Sequence, residues 1–240
     1  MRILILSDIH SNLTALETVL DAVGKYDAVW CLGDLVGYGP DANECIERVR
    51  GLANLKCVRG NHDAALLGDV DQQIFNRDAG LAITWTKRII NPDSREFLLN
   101  LPEKLEVDDV TLVHGSPINP VWDYLMDYPT ALQCFPYYQT RLCLVGHTHV
   151  PAIWPEDPES KMHIPVPDYL RFEIKGRAIL NPGSVGQPRD HDRRAAFALF
   201  DSEHSTWELR RVEYDIRSVQ ERIKKTDLPW RHAMRLAEGW

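Results

Sequence analysis

The sequence predicts an α/β fold whose chemistry sits at the carboxyl ends of its strands. Three observations carry the prediction. The first sixty residues alternate short apolar runs with stretches of helical periodicity, each apolar run stops abruptly at Gly, Asp, Asn or His, and the last third of the chain returns to strand-like segments. Such alternation favours parallel strands, and the loops that follow them are where sites are built.

Arg2–Leu6 reads as a buried strand of Ile and Leu, and Leu13, Leu16, Leu20 and Val23 follow at helical spacing, with Ser11 or Asn12 as N-cap. Ala28–Leu32 is a second strand. Pro40 suits the first turn of a helix whose apolar side is Cys45, Ile46 and Val49 and which ends at Gly51. Leu55–Val58 is a third strand, and the chain from His62 to about Asn100 reads as helical with several breaks. Val110–Val113 and Leu142–Val145 are further short strands. A loop and a helix between them carry Trp122, Tyr124, Tyr128, Phe135, Tyr137 and Tyr138. Five prolines from Pro151 to Pro167 argue for an ordered irregular loop. Strands resume near Tyr169–Ile174, Ala178–Leu180, Ala195–Phe200 and Trp207–Val212, and Asp215 can cap a closing helix with Ile216, Val219 and Ile223. With no repeat and no linker, one domain spanning 1–240 is expected.

Composition narrows the class of function. A formal charge of −8 on 240 residues leaves no broad basic face for duplex nucleic acid. The apolar run at the start stops after Leu6, too short for a signal peptide or a membrane span, and no later run is long enough either. The five cysteines (Cys31, Cys45, Cys57, Cys134 and Cys143) lack CxxC spacing, which argues for core thiols and a cytoplasmic home. A homo-oligomer is compatible with all of this.

The strand ends carry a pattern. They read Asp8-Ile9-His10, Gly33-Asp34, Gly60-Asn61-His62-Asp63, His114-Gly115 and Gly146-His147-Thr148-His149, so five of the nine histidines follow buried-type strands. Residues two apart in extended backbone point to one side, so Asp8 with His10, and His147 with His149, are each expected to grip one ion. Nitrogen and oxygen donors without thiolate suit Mn, Fe, Co, Ni or Zn better than Ca or Mg. An acidic protein that handles phosphate has to make positive potential locally, and two divalent ions against two carboxylates do so.

In this order, D-x-H, G-D, G-N-H-D, a lone His and G-H-x-H resemble the calcineurin-like metallophosphoesterase superfamily, from Asp8 to His149. The resemblance implies a four-layer αββα sandwich, two mixed β-sheets flanked by helices. It implies that Asp8, His10, Asp34 and His149 hold one divalent transition-metal ion, and that Asp34, Asn61, His114 and His147 hold a second, with Asp34 bridging. His62 would stand beside the leaving group as proton donor. The activity implied is hydrolysis of a small phosphoester by hydroxide that the metals activate.

The opening Ser7–Leu16, Gly33–Gly39 and Asn181–Arg189 look most like small YfcE-type phosphodiesterases, and phosphatases of dinucleoside polyphosphates share a similar opening. Two family positions differ. The Asp that orients the catalytic His is Gly37, and the Arg that holds a phosphomonoester is Tyr38. Diester hydrolysis is therefore expected ahead of phosphomonoester or dinucleoside-polyphosphate hydrolysis. Asn12 and Arg189 are candidate substrate contacts, Arg189 because arginine forks onto phosphate. The aromatic segment could stack a base but fits core as well. His163, His191, His204 and His232 show no partner pattern. The contrasting class is a scaffold on the same fold, as in the retromer, but such relatives lose site histidines that are all present here.

Overall fold

A computed structural model describes residues 1–69, 74–157 and 169–240. The element order is β1 (Arg2–Leu6), α1 (Leu13–Ala22), β2 (Ala28–Cys31), α2 (Ala42–Arg50), β3 (Lys56–Cys57), α3 (Asn61–Leu67), α4 (Arg77–Ile89), α5 (Pro92–Leu99), β4 (Lys104–Val107), β5 (Val110–Val113), α6 (Tyr128–Cys134), β6 (Leu142–Leu144), β7 (Ala152–Pro155), β8 (Tyr169–Glu173), β9 (Ala178–Asn181), β10 (Ala195–Asp201), β11 (Thr206–Val212), α7 (Ile216–Ile223) and α8 (Trp230–Glu238).

The strands form two sheets, in the orders β3-β2-β1-β10-β11-β8 and β4-β5-β6-β9-β7. Each has a parallel half, β3-β2-β1 and β5-β6-β9, extended by antiparallel strands. The period-two alternation of strand side chains explains the layering. On β1, Ile3 and Ile5 join Leu112, Leu142, Leu144 and Leu180 in the core between the sheets. Leu4 and Leu6 face the other way, onto Leu16 and Val19 of α1 and Ile46 and Val49 of α2. Behind the second sheet, Val113, Cys143 and Ile179 pack on Ala131, Cys134, Phe135 and Tyr138. Helix, sheet, sheet and helix make the αββα sandwich.

Several local expectations need correction. Asp41, not Pro40, stands at the N-cap of α2, with the proline just outside the helix. The proline-rich stretch is not all loop: Ala152–Pro155 forms β7 at a sheet edge, where proline costs no ladder bond. Pro158, Pro165 and Pro167 lie outside the described residues, as does His163. The edge strand β4 was not expected, because its Lys-Leu-Glu-Val alternation carries charge on one face. Asp215 does cap α7, through its bond from the Ser218 N–H, but α8 follows. All five cysteines are free and buried. Among the described residues no helix is long and apolar enough to cross a membrane.

Candidate metal centre

Five strand ends converge. Asp8 follows β1, Asp34 follows β2, Asn61 follows β3, His114 follows β5, and His147 and His149 follow β6. Two groups of candidate ligand atoms result: Asp8, His10, Asp34 and His149, all buried, and Asp34, His114 and His147, also buried. Asn61 joins the second, its Oδ1 lying 3.0 Å from His114 Nε2. Asp34 belongs to both. Its Oδ2 is 3.5 Å from His10 Nε2 and 3.4 Å from His114 Nε2, and it has no hydrogen-bond partner.

The pairing inferred from extended backbone holds for Asp8 and His10 but fails for His147 and His149, which fall in different groups. The backbone is not extended there. Asp8, His10, Asp34, His147 and His149 all have φ between 49° and 65°, the left-handed region that side chains rarely adopt. Strain of about 1–3 kcal/mol per residue persists only where the surroundings over-determine it. Here the Asp8 N–H donates to Gly33 O at 3.1 Å, the His10 N–H to Asp34 O at 3.0 Å, and the Gly186 N–H to Asp8 O at 2.9 Å.

The ring tautomers show what the site is built to take. His10 Nδ1 lies 2.9 Å from Val36 O, His114 Nδ1 2.7 Å from Leu32 O, and His149 Nδ1 2.5 Å from Gln187 O. A carbonyl only accepts, so each Nδ1 carries a proton, and wherever the ring is neutral its Nε2 presents a lone pair. His10 Nε2 and His149 Nε2 then face each other at 3.0 Å with no proton between them. His114 Nε2 faces Asn61 Oδ1 at 3.0 Å and His147 Nδ1 at 3.1 Å. Asp8 Oδ1 and Asp34 Oδ2, both unpartnered, complete an electron-rich surface that only a cation relieves. The residues fit divalent metal.

Charge balance agrees. Burial would raise both carboxyls, but His149 beside Asp8 and His114 beside Asp34 hold them well below the usual carboxylate range. Burial pushes His10, His147 and His149 down, so these rings are neutral and able to ligate. Burial also works against a charged His114, yet the Asp34 carboxylate outweighs it and pushes that ring up to about 9. In the metal-free site the positive charge that the carboxylates require is a proton on His114.

The structure also brings out residues to which the sequence pattern gave no role. Asp63, fully buried, accepts the backbone N–H groups of Asp34 at 2.9 Å, Leu35 at 3.0 Å, Val36 at 3.3 Å and Gly60 at 3.0 Å. It ties the Asp34 loop to the Asn61 loop, and its signal was the last letter of G-N-H-D. Asn181 donates to Gly146 O at 2.7 Å and to Thr148 Oγ1 at 3.1 Å, and Ser184 Oγ donates to Asp8 O at 2.9 Å. The Asn181–Arg189 segment therefore braces the centre from outside.

His62 stands at the rim. Its Nε2 is 3.0 Å from Tyr38 Oη, and Arg189 Nη2 donates to the same hydroxyl at 3.1 Å. Burial drives the His62 ring down to about 4, with the nearby Asp34 charge opposing. Gly37 has φ +97°, and a Cβ there would lie 2.5 Å from His62 Nδ1, so the ring occupies the space that a side chain at 37 would need. Asn12 is engaged within the fold. Its Oδ1 caps α1 at Ala15, and its amide donates to Gly186 O at 3.0 Å and Tyr214 Oη at 3.3 Å. His232 is not incidental: it is buried, with its ring 4.9 Å from that of Tyr38. His191 stacks on Trp240 and His204 bonds Asp201, both away from the centre. The aromatic segment divides, Phe135 and Tyr138 entering the core while Trp122 and Tyr124 line a cavity of about 310 Å³ beside the centre.

The comparisons with known proteins follow the same lines. A metallophosphoesterase from Sphaerobacter thermophilus is 43% identical in sequence and superposes with a TM-score of 0.92, covering 100% of this chain and 99% of that one. An uncharacterized protein of Methanocaldococcus jannaschii is 39% identical over 235 residues, 95% of this chain and 93% of its own length. The symmetrical bis(5'-nucleosyl)-tetraphosphatase of Baumannia cicadellinicola is 32% identical over 146 residues, and this chain spans only 48% of its length. The family model for the calcineurin-like phosphoesterase superfamily domain matches residues 1–205. With that match laid over the strand-end centre, the chain belongs to the calcineurin-like phosphoesterase superfamily.

Proposed function

We propose that this protein hydrolyses phosphodiester bonds in small nucleotide-type substrates, using two divalent transition-metal ions. Asp8, His10, Asp34 and His149 hold one ion, and Asp34, Asn61, His114 and His147 the other. The observation that carries the proposal is the set of buried nitrogen and oxygen donor atoms converging on the unpartnered Asp34 Oδ2. When bound, such an ion pair polarises phosphoryl oxygens and brings the pKa of water towards neutrality.

The chain's own residues supply orientation. Asp34 Oδ1 accepts the His62 backbone N–H at 2.9 Å, so the bridging carboxylate also fixes the rim residue. His62 is placed to give a hydrogen bond to the departing oxygen. The phenol of Tyr38 stands where relatives of the phosphomonoesterase kind carry an arginine, and a singly charged diester needs less neutralisation than a dianionic monoester. Arg189 returns a guanidinium to the same place from another loop, and its unpartnered Nε supports a role on phosphate. The tetraphosphatase relative favours nucleotide chemistry among the diesters. Manganese is the proposed working ion and the cytoplasm the proposed setting.

Metal analysis combined with a substrate screen tests this reading. The Mn-loaded protein is assayed on diesters, monoesters, cyclic nucleotides and dinucleoside polyphosphates. Diesters are expected to exceed monoesters in kcat/KM. Two bound metals with no turnover on any ester would leave the scaffold reading standing.

A further inference from the structure

The cavity of about 310 Å³ at the rim is lined by Asn61 and His62 on the metal side, by Phe75, Trp122 and Tyr124 on one wall, and by Arg189 and Arg235 on another. Several other arginines are matched to acids, among them Arg48 to Glu17, Arg59 to Asp69, Arg211 to Asp190 and Arg222 to Asp41. Among the described residues, no Asp or Glu side chain pairs with Arg189 or Arg235. Arg189 donates to Tyr38 Oη and Gln187 Oε1, and Arg235 Nε to the terminal main-chain oxygen of Trp240 at 2.6 Å. Two guanidiniums that line one cavity favour an anion between them. Burial and the charge of Arg189 both disfavour the charged form of Arg235. Arg235 sits on α8, beyond the residues 1–205 that match the family, and α8 is fixed in place by His232 Nε2, 3.1 Å from Asp78 O on α4.

We propose that Arg189 and Arg235 form a subsite for a second phosphate, joined directly to the scissile one, so that the bond cleaved is the phosphoanhydride of a nucleoside polyphosphate, in place of an ordinary diester, and the leaving group is itself a phosphate. The inference rests on the reading of the neighbouring centre as hydrolytic. Position gives the side: Arg189 reaches Tyr38 Oη, which contacts His62, the residue beside the departing oxygen. Hydrolysis forms a bond from a water oxygen to the scissile phosphorus and breaks the bridging P–O bond. The bridging electron pair stays on the phosphate at the arginines, and a proton passes to solvent. Such a leaving group needs little protonation, which suits a His62 whose usual carboxylate partner is replaced by Gly37. The aromatic wall, with Phe75 and Trp122 5.1 Å apart edge to face and Tyr124 stacked 3.7 Å from His147, accepts a planar base. The volume is near the low end of ligand pockets, room for one base and phosphate rather than two nucleosides.

The test has two arms on the full chain. In the first, inorganic pyrophosphate is titrated calorimetrically into metal-free protein, as wild type, Arg235→Gln, Arg235→Lys and the remote control Arg95→Gln. Affinity is expected to fall ~10-fold or more in Arg235→Gln and to recover partly in Arg235→Lys, with Arg95→Gln like wild type. Equal pyrophosphate affinity in wild type and Arg235→Gln overturns the subsite. In the second, the Mn-loaded proteins are compared on diadenosine tetraphosphate and on bis(p-nitrophenyl) phosphate. The ratio of the two kcat/KM values is expected to drop ~10-fold in Arg235→Gln, and an unchanged ratio overturns the proposal. If no ester is turned over while pyrophosphate binding still depends on Arg235, the hydrolytic reading fails and the anion subsite stands.

Discussion

The metal centre and the cavity beside it are built to different standards. Every candidate ligand is buried and comes from a strand end between residues 8 and 149, and His10, His114 and His149 are each anchored by a carbonyl on the far ring nitrogen. The cavity is assembled from loops, the start of α3 and α8, and part of its lining is open to solvent: Ile74 is 59% exposed and Tyr124 49%. The centre tolerates strained backbone because its surroundings dictate it, whereas the cavity carries few constraints of that kind. The difference separates shared chemistry from individual choice. The metal centre lies wholly within the portion that matches the superfamily, residues 1–205, and the cavity adds Arg235 from beyond it.

The largest effect should come from breaking the bridge. Asp34→Asn keeps the oxygen that accepts the His62 N–H and loses the negative charge shared by both groups. Metal content should drop from two ions towards one or none, and turnover by at least ~10³-fold, a loss of several kcal/mol of electrostatic stabilisation. A variant that keeps two metals and near-normal turnover removes Asp34 from the bridge. Asp63→Asn probes the scaffold behind it. One amide NH2 would face two backbone donors, at a cost of about 2–3 kcal/mol, which should lower the melting temperature by about 5–10 °C. An unchanged melting curve would mean that the two loops are held by something else.

The same contrast governs what the sequence disclosed. The centre was legible because its residues are rare types placed directly after apolar runs, and five strand ends in order leave little room for accident. The division of ligands between ions was not legible from spacing, because the backbone at Asp8, His10, His147 and His149 turns left-handed instead of running extended. The mixed sheets followed from the resemblance and not from local pattern: β10 and β11 read as strands, but nothing local says that β10 lies antiparallel to β1. Arg235 and His232 escaped because their meaning is purely tertiary. They come from the far end of the chain, and only packing brings them to the rim beside Tyr38.

His62 gives a smaller effect that separates chemistry from metal binding. His62→Gln should lower kcat by ~10²-fold, through the loss of a hydrogen bond to charge developing on the leaving oxygen, with metal content and KM nearly unchanged. The loss should be smaller for nitrophenolate than for an alkoxide. Because the ring is driven down to about 4, it is neutral above that pH, so an acid limb between pH 5 and 7 cannot be its titration. Equal losses on good and poor leaving groups would remove it from the acid role.

That acid limb should instead follow metal loading. His114, pushed up to about 9, is protonated below that pH in the metal-free site and has to release its proton when an ion enters. Apparent metal affinity should therefore rise with pH, by up to ~10-fold per unit for one proton, and level off above about 9. Calorimetry in buffers of different ionisation enthalpy counts the proton. Uptake at pH 7 without proton release would sink this account, and so would an acid limb that excess metal does not relieve.

The smallest effect tests the seam between the two regions, where Tyr38 Oη touches His62 Nε2 on one side and Arg189 on the other. Tyr38→Phe removes that hydroxyl and keeps the ring, which packs 4.6 Å from His10, 4.5 Å from His62 and 4.9 Å from His232. The fold and the metal content should therefore survive. Arg189 gives up a donor contact and His62 its partner, and one net hydrogen bond is worth about 0.5–1.5 kcal/mol. A fall in kcat/KM of about 2–10-fold follows, and it should be larger for substrates that carry a second phosphate, because Arg189 is then less well aimed. The sign is the informative part. If the hydroxyl aligns both residues, its loss slows turnover, and the double variant Tyr38→Phe with Arg189→Gln should lose less than the product of the two single effects, since each removes the same contact. If the hydroxyl instead occupies the place on His62 Nε2 that a leaving oxygen needs, Tyr38→Phe should raise kcat. A rise would make Tyr38 a plug that substrate has to displace, and the rim would then be closed in the resting enzyme.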